Sequence, residues 1–415
     1  MKNLSFQLKK AGKHTVYMKE GKSMKKRTIS LLLAVVMLMA VLPMNMMAAK
    51  KLEDVVFTDS RGNRVVIPGG AKSCATKVIA SDTGDRWTTD KVAMDTASIL
   101  GEPDYDEKAD TNYYTLGAFG SITLEFDIFI TDGEGNDIYV FEIGPDVEAT
   151  KVEVSADLKN WIYVGDANGS ISGVDIHGKV EEGAKFKYVR ITDLEGIGNG
   201  WPGADIDTVV GLNVKVPASG STWANPELEK ADLLGLIPDC LEDADLTKPI
   251  TRAEFAAVSV KTYEAIEGVK AKNPSGNNPF TDTVDMEVLK AFELGITKGT
   301  GDGTTFSPND LLNREQASTM LTRVYKKTAI NGWTIDKDNE FALEYAKPAP
   351  FSDDAKISDW AKDSVYFMAA NKIIQGSEGK FMPKATTDAE VAIGYAQATR
   401  EQAILIAVRM VENLK

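Results

Sequence analysis

The same short pattern occurs three times in the second half of the chain, and a run of apolar residues at helical spacing follows it each time. The three copies are Ile250-Thr251-Arg252-Ala253-Glu254, Leu312-Asn313-Arg314-Glu315-Gln316 and Ala398-Thr399-Arg400-Glu401-Gln402. Thr or Asn before a helix accepts hydrogen bonds from the free amides of the first turn, and an early acidic residue suits the positive helix end. A cap does not require an arginine at one fixed place. The recurrence therefore predicts an array of three helical units.

Other elements recur around the three arginines. Each copy contains a helix that ends in an apolar turn, at 234–238, 294–299 and 371–376. Two copies are preceded by Phe-Thr/Ser-Asp and contain a Phe-x-Pro turn, at 306–308 and 381–383. The arginines are 62 and then 86 residues apart. The longer spacing reflects an insertion at about 328–349 and an extra loop at 384–397.

This order of Phe-x-Asp, Trp-Ala, a glycine-ended helix, Phe-x-Pro and Thr-Arg-Glu resembles the S-layer homology repeat. The resemblance covers about residues 222–415, with repeats expected at 222–268, 278–327 and 350–415. It implies a mostly α, pseudo-threefold unit that binds an anionic, often pyruvylated, secondary cell-wall polysaccharide. Carried over by position, the expected polymer contacts are Arg252, Arg314, Arg400, Trp223, Trp360, Asp282, Asp353, Gly299 and Gly376.

The arginines, tryptophans and aspartates of this set also have an ordinary structural interpretation. A guanidinium matches a carboxylate with its planar fork, but it also forms structural salt bridges. The two tryptophans either stack on a sugar or fill the core at a helix start, and the two aspartates either contact the polymer or cap helices. The third copy contains Asp353, Trp360, Gly376 and Arg400, whereas the second has Thr283 in place of Trp and the first has Asp239 in place of Gly. The copy that ends at Arg400 is therefore expected to form the most complete site.

The N-terminal half has a different pattern. Apolar and polar residues alternate in several short segments, such as 121–126, 137–142, 151–155 and 188–191, and glycine-rich turns separate them. This pattern predicts half-buried strands and an all-β sandwich or jelly roll over residues 50–217, so the chain is multidomain. Segments such as 100–104 and 135–142, with Trp161, are similar to discoidin-like, galactose-binding-like surface modules. That resemblance implies a carbohydrate or other surface ligand and a structural calcium ion.

One loop of this module has metal-binding chemistry. Asp132, Glu134, Asn136 and Asp137 offer oxygen atoms in a glycine-rich segment, and Asp205 and Asp207 are expected to complete a site if the loops meet. Hard oxygen ligands on a flexible loop suit Ca²⁺. The alternative is a solvated acidic hairpin without a metal.

The first 49 residues have the layout of a secretory signal peptide. Basic residues at 25–27 precede an apolar run at 29–42, and small residues follow at 48–49. The run is shorter than the roughly 20 residues that span a bilayer. A retained N-terminal anchor is the alternative, and Met24 is a second candidate for the start. No later segment is apolar enough to cross a membrane.

Charge and composition argue against several classes of function. The net charge of −14 argues against a nucleic-acid binder, which needs a basic face. After removal of 1–49, His177 is the sole histidine, so catalysis or metal binding by several histidines is not expected. Cys74 and Cys240 are too few for a disulfide framework. We expect a non-catalytic surface protein. The alternatives are a glycan hydrolase with paired carboxylates in the N-terminal domain and a structural component of the surface layer.

Overall fold

The computed structural model describes residues 53–58, 64–84, 93–143, 147–194 and 202–414. The expected signal peptide at 1–49, together with Met24, lies outside the described residues. The described residues form an all-β module followed by a mostly α module, as the sequence pattern predicts.

The β module contains twelve described strands. They are β1 (Val55–Thr58), β2 (Arg64–Ile67), β3 (Lys77–Asp82), β4 (Tyr114–Thr115), β5 (Ser121–Thr131), β6 (Ile138–Glu142), β7 (Thr150–Ser155), β8 (Ile162–Ala167), β9 (Ile171–Val174), β10 (Lys185–Asp193), β11 (Asp205–Gly211) and β12 (Val214–Lys215). All of the strand pairs are antiparallel.

Two of the sheets pack face to face. One has the order β12-β5-β10-β7-β8, with β3 also paired to β5, and the other has the order β4-β11-β6-β9. Alternate residues of each strand point into the shared core, as Val189 and Ile191 do on β10 and Ile122 and Leu124 do on β5. This is a β-sandwich, and the expected fold of the first module is confirmed.

The outer face of the four-stranded sheet is covered by the β1–β2 hairpin. Val65 and Ile67 of the hairpin pack with Phe141, Val210 and Cys74 in a separate small cluster. Cys74 is buried and Cys240 is exposed, and both are free. Residues Thr96–Ile99 form a short 3-10 helix in this module.

The second module contains seven α-helices among the described residues. They are α1 (Asn225–Leu233), α2 (Arg252–Glu267), α3 (Met286–Glu293), α4 (Arg314–Ala329), α5 (Asp359–Ala370), α6 (Asp388–Ala392) and α7 (Arg400–Leu414). None of the helices in this described part is both long and apolar enough to span a bilayer.

The three long helices begin at the three repeated arginines. The Thr251 hydroxyl accepts a hydrogen bond from the Glu254 amide, and the Glu254 carboxylate accepts one from the Thr251 amide. The same reciprocal pair forms in the other two copies, at Asn313 with Gln316 and at Thr399 with Gln402. These capping boxes satisfy free amides at each start, so the predicted caps are confirmed.

The repeats close into a ring because each short helix packs on the long helix of the preceding repeat. Helix α3 packs on α2 and α5 packs on α4, and α1 of the first repeat packs on α7 of the last. Backbone bridges join Thr251 to Leu311, Asn313 to Gln397 and Pro249 to Thr399, one at each junction. One hydrophobic core runs through all three repeats.

The sandwich contacts the first repeat through paired charges. Lys185 of β10 pairs with Asp232 of α1, which is only 2% exposed. The second oxygen of Asp232 accepts the Ala218 amide at 2.9 Å. Lys187 of β10 pairs with Glu229 of α1, and Lys215 of β12 pairs with Glu242. The segment between the two modules is therefore held by side chains from both of them.

Candidate functional site

Each repeated arginine reaches into the next repeat rather than its own. The Arg252 Nε donates to the Phe306 carbonyl at 3.0 Å, and the Arg314 Nε donates to the Phe381 carbonyl at 2.8 Å. Arg400 reaches back to the first repeat, where its Nη1 donates to the Asp245 carbonyl at 3.0 Å. We call these contact regions junction 1–2, junction 2–3 and junction 3–1, after the repeats that they join.

The expected complete set of residues is therefore divided between two junctions. The Arg314 Nη2 donates to the Gln375 carbonyl at 2.8 Å, next to Gly376. Asp353 holds the turn that contains Phe381, and Trp360 follows Ser358, which binds Glu315 at the same junction. The assignment of these residues to Arg400 was wrong, because the ring is offset by one repeat. Their arginine is Arg314.

The two aspartates of the Phe-x-Asp elements hold the Phe-x-Pro turns. The oxygens of Asp353 accept the amides of Phe381 and Met382, each at 2.8 Å. The oxygens of Asp282 accept the amides of Phe306 and Ser307 at 2.8 and 2.7 Å. Met382 and Ser307 have a φ of 57°, in the left-handed region that non-glycine residues rarely adopt. Neither carboxylate caps an α-helix in the structure, so that interpretation was wrong.

The two glycines allow close packing next to these turns. A Cβ on Gly376 would lie 2.3 Å from the Lys380 carbonyl oxygen and 2.8 Å from the ring of Phe351. A Cβ on Gly299 would lie 2.5 Å from the Thr305 carbonyl oxygen and 2.6 Å from the ring of Phe280. The contacts of Gly299 and Gly376 are thus with the phenylalanine of the Phe-x-Asp element, which explains why glycine occurs there.

The two tryptophans lie on the surface. Trp223 is 60% exposed and Trp360 is 59% exposed. The interpretation that they fill the core was wrong, and each has an aromatic face that remains accessible. Trp360 lies at the start of α5 at junction 2–3, and Trp223 lies just before α1 at junction 3–1.

The three arginines differ in their electrostatic environment. Arg400 forms a two-point ion pair with Glu254, at 2.6 and 3.2 Å, which raises the pKa of Arg400. Within the described part of the chain, neither Arg252 nor Arg314 has a carboxylate at ion-pair distance. Burial lowers the pKa of both, and nearby carboxylates oppose this shift. Their charges are thus less compensated than that of Arg400.

Arg252 and Arg314 differ in their accessibility to a ligand. Each guanidinium lies over the phenylalanine ring of its turn, at 4.9 Å for Arg252 and 5.2 Å for Arg314. Arg252 is only 6% exposed, and the short helix α3 at junction 1–2 contains no tryptophan. Arg314 is partly exposed, and Trp360 accompanies it. Junction 2–3 therefore combines an accessible, weakly compensated cation with an exposed aromatic side chain.

A pair of serine–glutamate hydrogen bonds between the repeats was not predicted from the sequence. Glu315, which is 2% exposed, accepts hydrogen bonds from the amide and hydroxyl of Ser358 at 2.9 and 3.0 Å. Glu401 binds Ser221 in the same way at junction 3–1. Ala253 stands at the corresponding position of the first copy, so junction 1–2 lacks this acidic side chain. Two features of the sequence could have indicated this contact. An acidic residue follows the arginine in two copies, and a serine lies two residues before each of the two tryptophans.

The acidic loop of the sandwich is assembled differently from the prediction. Asp132 and Asp137 lie together with Asp175, which was not predicted, and one carboxylate oxygen of each lies within 4.8 Å of the others. Glu134 and Asn136 are exposed, and Glu134 is not part of this cluster of carboxylates. Asp137 is fully buried and accepts the Gly133 and Ile176 amides, each at 2.9 Å.

Asp205 and Asp207 do not join that loop, and their assignment to it was wrong. Gly211, at the end of β11, pairs with Ile138 beside the loop, so Asp205 at the start of β11 lies about 20 Å away along the strand. Asp205 accepts from the Thr115 hydroxyl, and Asp207 accepts the Asp104 amide at 3.1 Å. Burial raises the pKa of Asp205 to about 6 and that of Asp207 to about 7.

Two of the three helical repeats match a domain family that is associated with surface anchoring in bacteria. Residues 280–318 and 350–388 match the family model of the S-layer homology domain. The expected resemblance to S-layer homology repeats is therefore confirmed for the second and third repeats.

Curated relatives are glycan-degrading enzymes. The chain is 26% identical over 253 residues to an exoglucanase of Acetivibrio thermocellus, which covers 56% of this chain and 21% of the relative. It is 28% identical over 148 residues to an endoglucanase of Bacillus sp. (strain KSM-635), which covers 35% of this chain and 14% of the relative. The chain thus spans about a fifth or less of the length of these relatives.

Solved structures with some likeness to the chain include carbohydrate-binding modules. A family 32 carbohydrate-binding module from Streptococcus pneumoniae is 9% identical, with a TM-score of 0.26, over 34% of this chain and 98% of that one. The C-terminal domain of a chitobiase from Bacteroides fragilis is 13% identical, with a TM-score of 0.24, over 34% of this chain and 94% of that one.

Proposed function

We propose that this chain is an exported surface protein held non-covalently on the bacterial cell wall, with junction 2–3 as its main site for an anionic secondary wall polysaccharide. The observation that carries the proposal is the partly exposed Arg314, which has no carboxylate at ion-pair distance in the described part and lies at the same junction as Trp360. The polymer and the sandwich ligand are the expected partners.

The chemistry of junction 2–3 fits an acidic sugar. The Arg314 Nε and Nη2 are held by backbone carbonyls, which fix the plane of the guanidinium. Its Nη1 makes no hydrogen bond within the described residues and is available to a ligand carboxylate. A charge-assisted hydrogen bond of this kind is roughly twice as strong as a neutral one. The exposed ring of Trp360 offers an apolar surface for a sugar face.

Junction 3–1 fits a structural role better. Glu254 already occupies two nitrogens of Arg400, and the Asp245 carbonyl occupies the third. An anionic ligand would have to compete with Glu254 for the same donors. We infer that Arg400 stabilises the contact between the third and first repeats. The cation near Trp223 is thus already neutralised by Glu254.

We further propose that the sandwich binds a carbohydrate and is not catalytic, although the curated relatives are named as glycan-degrading enzymes. A glycosidase places two carboxyl groups on either side of an accessible bond. Burial raises the pKa of Glu142 to about 9. Because Glu142 and Asp207 are both buried within the sandwich, they do not flank an accessible bond in this way. A surface hydrolase remains the competing function, and a structural layer component is the third.

Binding to cell walls tests the anchoring function. The full chain should bind isolated cell walls and should lose nearly all binding after the secondary polysaccharide is extracted, because the repeats recognise that polymer. Co-sedimentation with both wall preparations measures this, and the released polymer added in solution should compete. Equal sedimentation with extracted walls would contradict the proposal.

We also propose that Asp132, Asp137 and Asp175 bind Ca²⁺. Their charges and hard oxygen atoms suit this ion. Asp132 Oδ1 is buried and has no hydrogen-bond partner among the described residues, although Oδ2 lies 3.1 Å from the His177 Nδ1. Asp137 contributes charge, but its oxygens already accept three hydrogen bonds, one of them from Asn213 at 2.7 Å.

Calcium should stabilise the sandwich. With Ca²⁺ at about 100 times its Kd, the melting temperature of the full chain should rise by about 5–10 °C over that in chelator. Asp175→Asn should remove most of this rise, and Asp127→Asn, a change of an exposed aspartate on β5, should not. Differential scanning calorimetry measures both. A melting temperature of the unchanged chain that is the same with Ca²⁺ and with chelator would refute the site.

A further inference from the structure

The third repeat has an insertion that the second lacks. Between the Phe-x-Pro turn and the next capping residue, the second copy has residues 309–312 and the third has residues 384–398. We call residues 384–398 the insertion. It contains α6, whose cap Thr387 accepts the Glu390 amide at 3.2 Å.

The insertion is attached to the Phe-x-Asp element of junction 2–3. Glu390 accepts the Lys356 ammonium at 2.9 Å, and its other oxygen accepts the Thr386 amide and hydroxyl at 2.6 and 2.8 Å. These bonds lower the pKa of Glu390 to about 2. The Lys356 ammonium also lies 5.7 Å from the centre of the Tyr395 ring. The insertion thus packs beside the turn that follows Asp353.

The insertion also lies beside the start of the helix that carries Arg314. Gln397 forms a backbone bridge with Asn313, the residue before Arg314, and Tyr395 lies two positions before Gln397. Tyr395 is partly exposed, and its hydroxyl makes no hydrogen bond within the described residues. Lys384 contacts the Ser358 hydroxyl and lies 3.2 Å from Glu315, at the start of the helix that carries Trp360.

We propose that the insertion forms one wall of the junction 2–3 site, where Tyr395 donates its hydroxyl to the acidic sugar bound by Arg314 and Lys384 contacts the same sugar unit. This inference rests on the proposed function of junction 2–3. It extends the site to residues outside the repeated motif, and it distinguishes this junction from the other two.

The charges of the wall limit what it binds. Lys356 is paired with Glu390 and Lys384 with Glu315, so the wall adds hydrogen-bond donors while its cations are already compensated. Arg314 remains the weakly compensated cation of the site. The site should therefore accept one carboxylate at a time.

Removing a single hydroxyl tests the wall. Tyr395→Phe in the full chain should weaken binding of the purified polymer by about tenfold, because a hydrogen bond to a charged group is lost. The melting temperature should stay the same, since this hydroxyl makes no hydrogen bond to any of the described residues. Tyr163→Phe, which removes an exposed hydroxyl bonded to Asp166 on the sandwich, is the matched control and should leave the Kd unchanged. Isothermal titration calorimetry gives the Kd and the stoichiometry.

Chemical reduction of the polymer carboxylates identifies the group recognised. Towards the carboxyl-reduced polymer, the unchanged chain and Tyr395→Phe should bind equally weakly. If Tyr395→Phe binds the native polymer as tightly as the unchanged chain while Arg314→Ala does not, the wall is refuted and junction 2–3 stands. If Arg314→Ala also binds normally, the proposed function of junction 2–3 fails with it.

Discussion

Arg314→Ala should abolish measurable binding of the full chain to the purified wall polysaccharide, with a loss of about 100-fold or more in affinity. Removing one partner of a buried, hydrogen-bonded charge pair costs about 2–5 kcal/mol in other complexes, and 2.8 kcal/mol is a factor of about 100. Arg314 is expected to supply such a charge, because its own carboxylate neighbours do not pair with it. Isothermal titration calorimetry with the purified polymer measures the loss.

Arg400→Ala is the matched control at the equivalent position of the ring. It should leave binding within about threefold of normal, because Glu254 and not a ligand occupies that guanidinium. It should instead lower the melting temperature, since Glu254 loses its partner. Arg314→Lys should restore part of the binding, because it keeps the charge without the planar fork. Loss of binding by Arg400→Ala with normal binding by Arg314→Ala would contradict the assignment.

Asp232→Ala should destabilise the chain by about 3–5 kcal/mol, because it leaves the mostly buried Lys185 without its ion-pair partner. It also removes the acceptor of the Ala218 amide. Chemical denaturation followed by far-ultraviolet circular dichroism measures the change in the free energy of unfolding.

An exposed ion pair in the same region provides the control. Lys230 of α1 pairs with Glu412 of α7 at 2.8 Å, with both side chains about half exposed. Glu412→Ala should cost at most about 1 kcal/mol, as is usual for surface pairs. If both substitutions have the same small effect, the contact between the sandwich and the first repeat does not stabilise the fold.

Local features of both modules were predictable from the sequence. The Thr or Asn caps indicated where the long helices begin, because a cap depends on residues within one turn. Alternation of apolar residues indicated the strands of the sandwich, because the side-chain period of a strand is two. Neither inference needs to know which distant segments meet.

The partners across the junctions could not be read from the sequence. Motif order groups Asp353, Trp360 and Gly376 with the arginine that follows them, whereas the ring places them beside the arginine that precedes them. Arg400 and Glu254 are 146 residues apart and meet because α7 packs on α2. In the sandwich, Asp175 joins Asp132 from a separate loop, which spacing alone does not indicate.

The charged contact between the sandwich and the first repeat affects the orientation of the sandwich relative to the repeats. A flexible linker between the two modules would let the sandwich adopt many orientations relative to the repeats. Here ion pairs join β10 to α1, so the orientation of the sandwich is fixed relative to the ring of repeats. If the repeats hold the chain on the wall as proposed, neighbouring copies would present the same side of the sandwich outward.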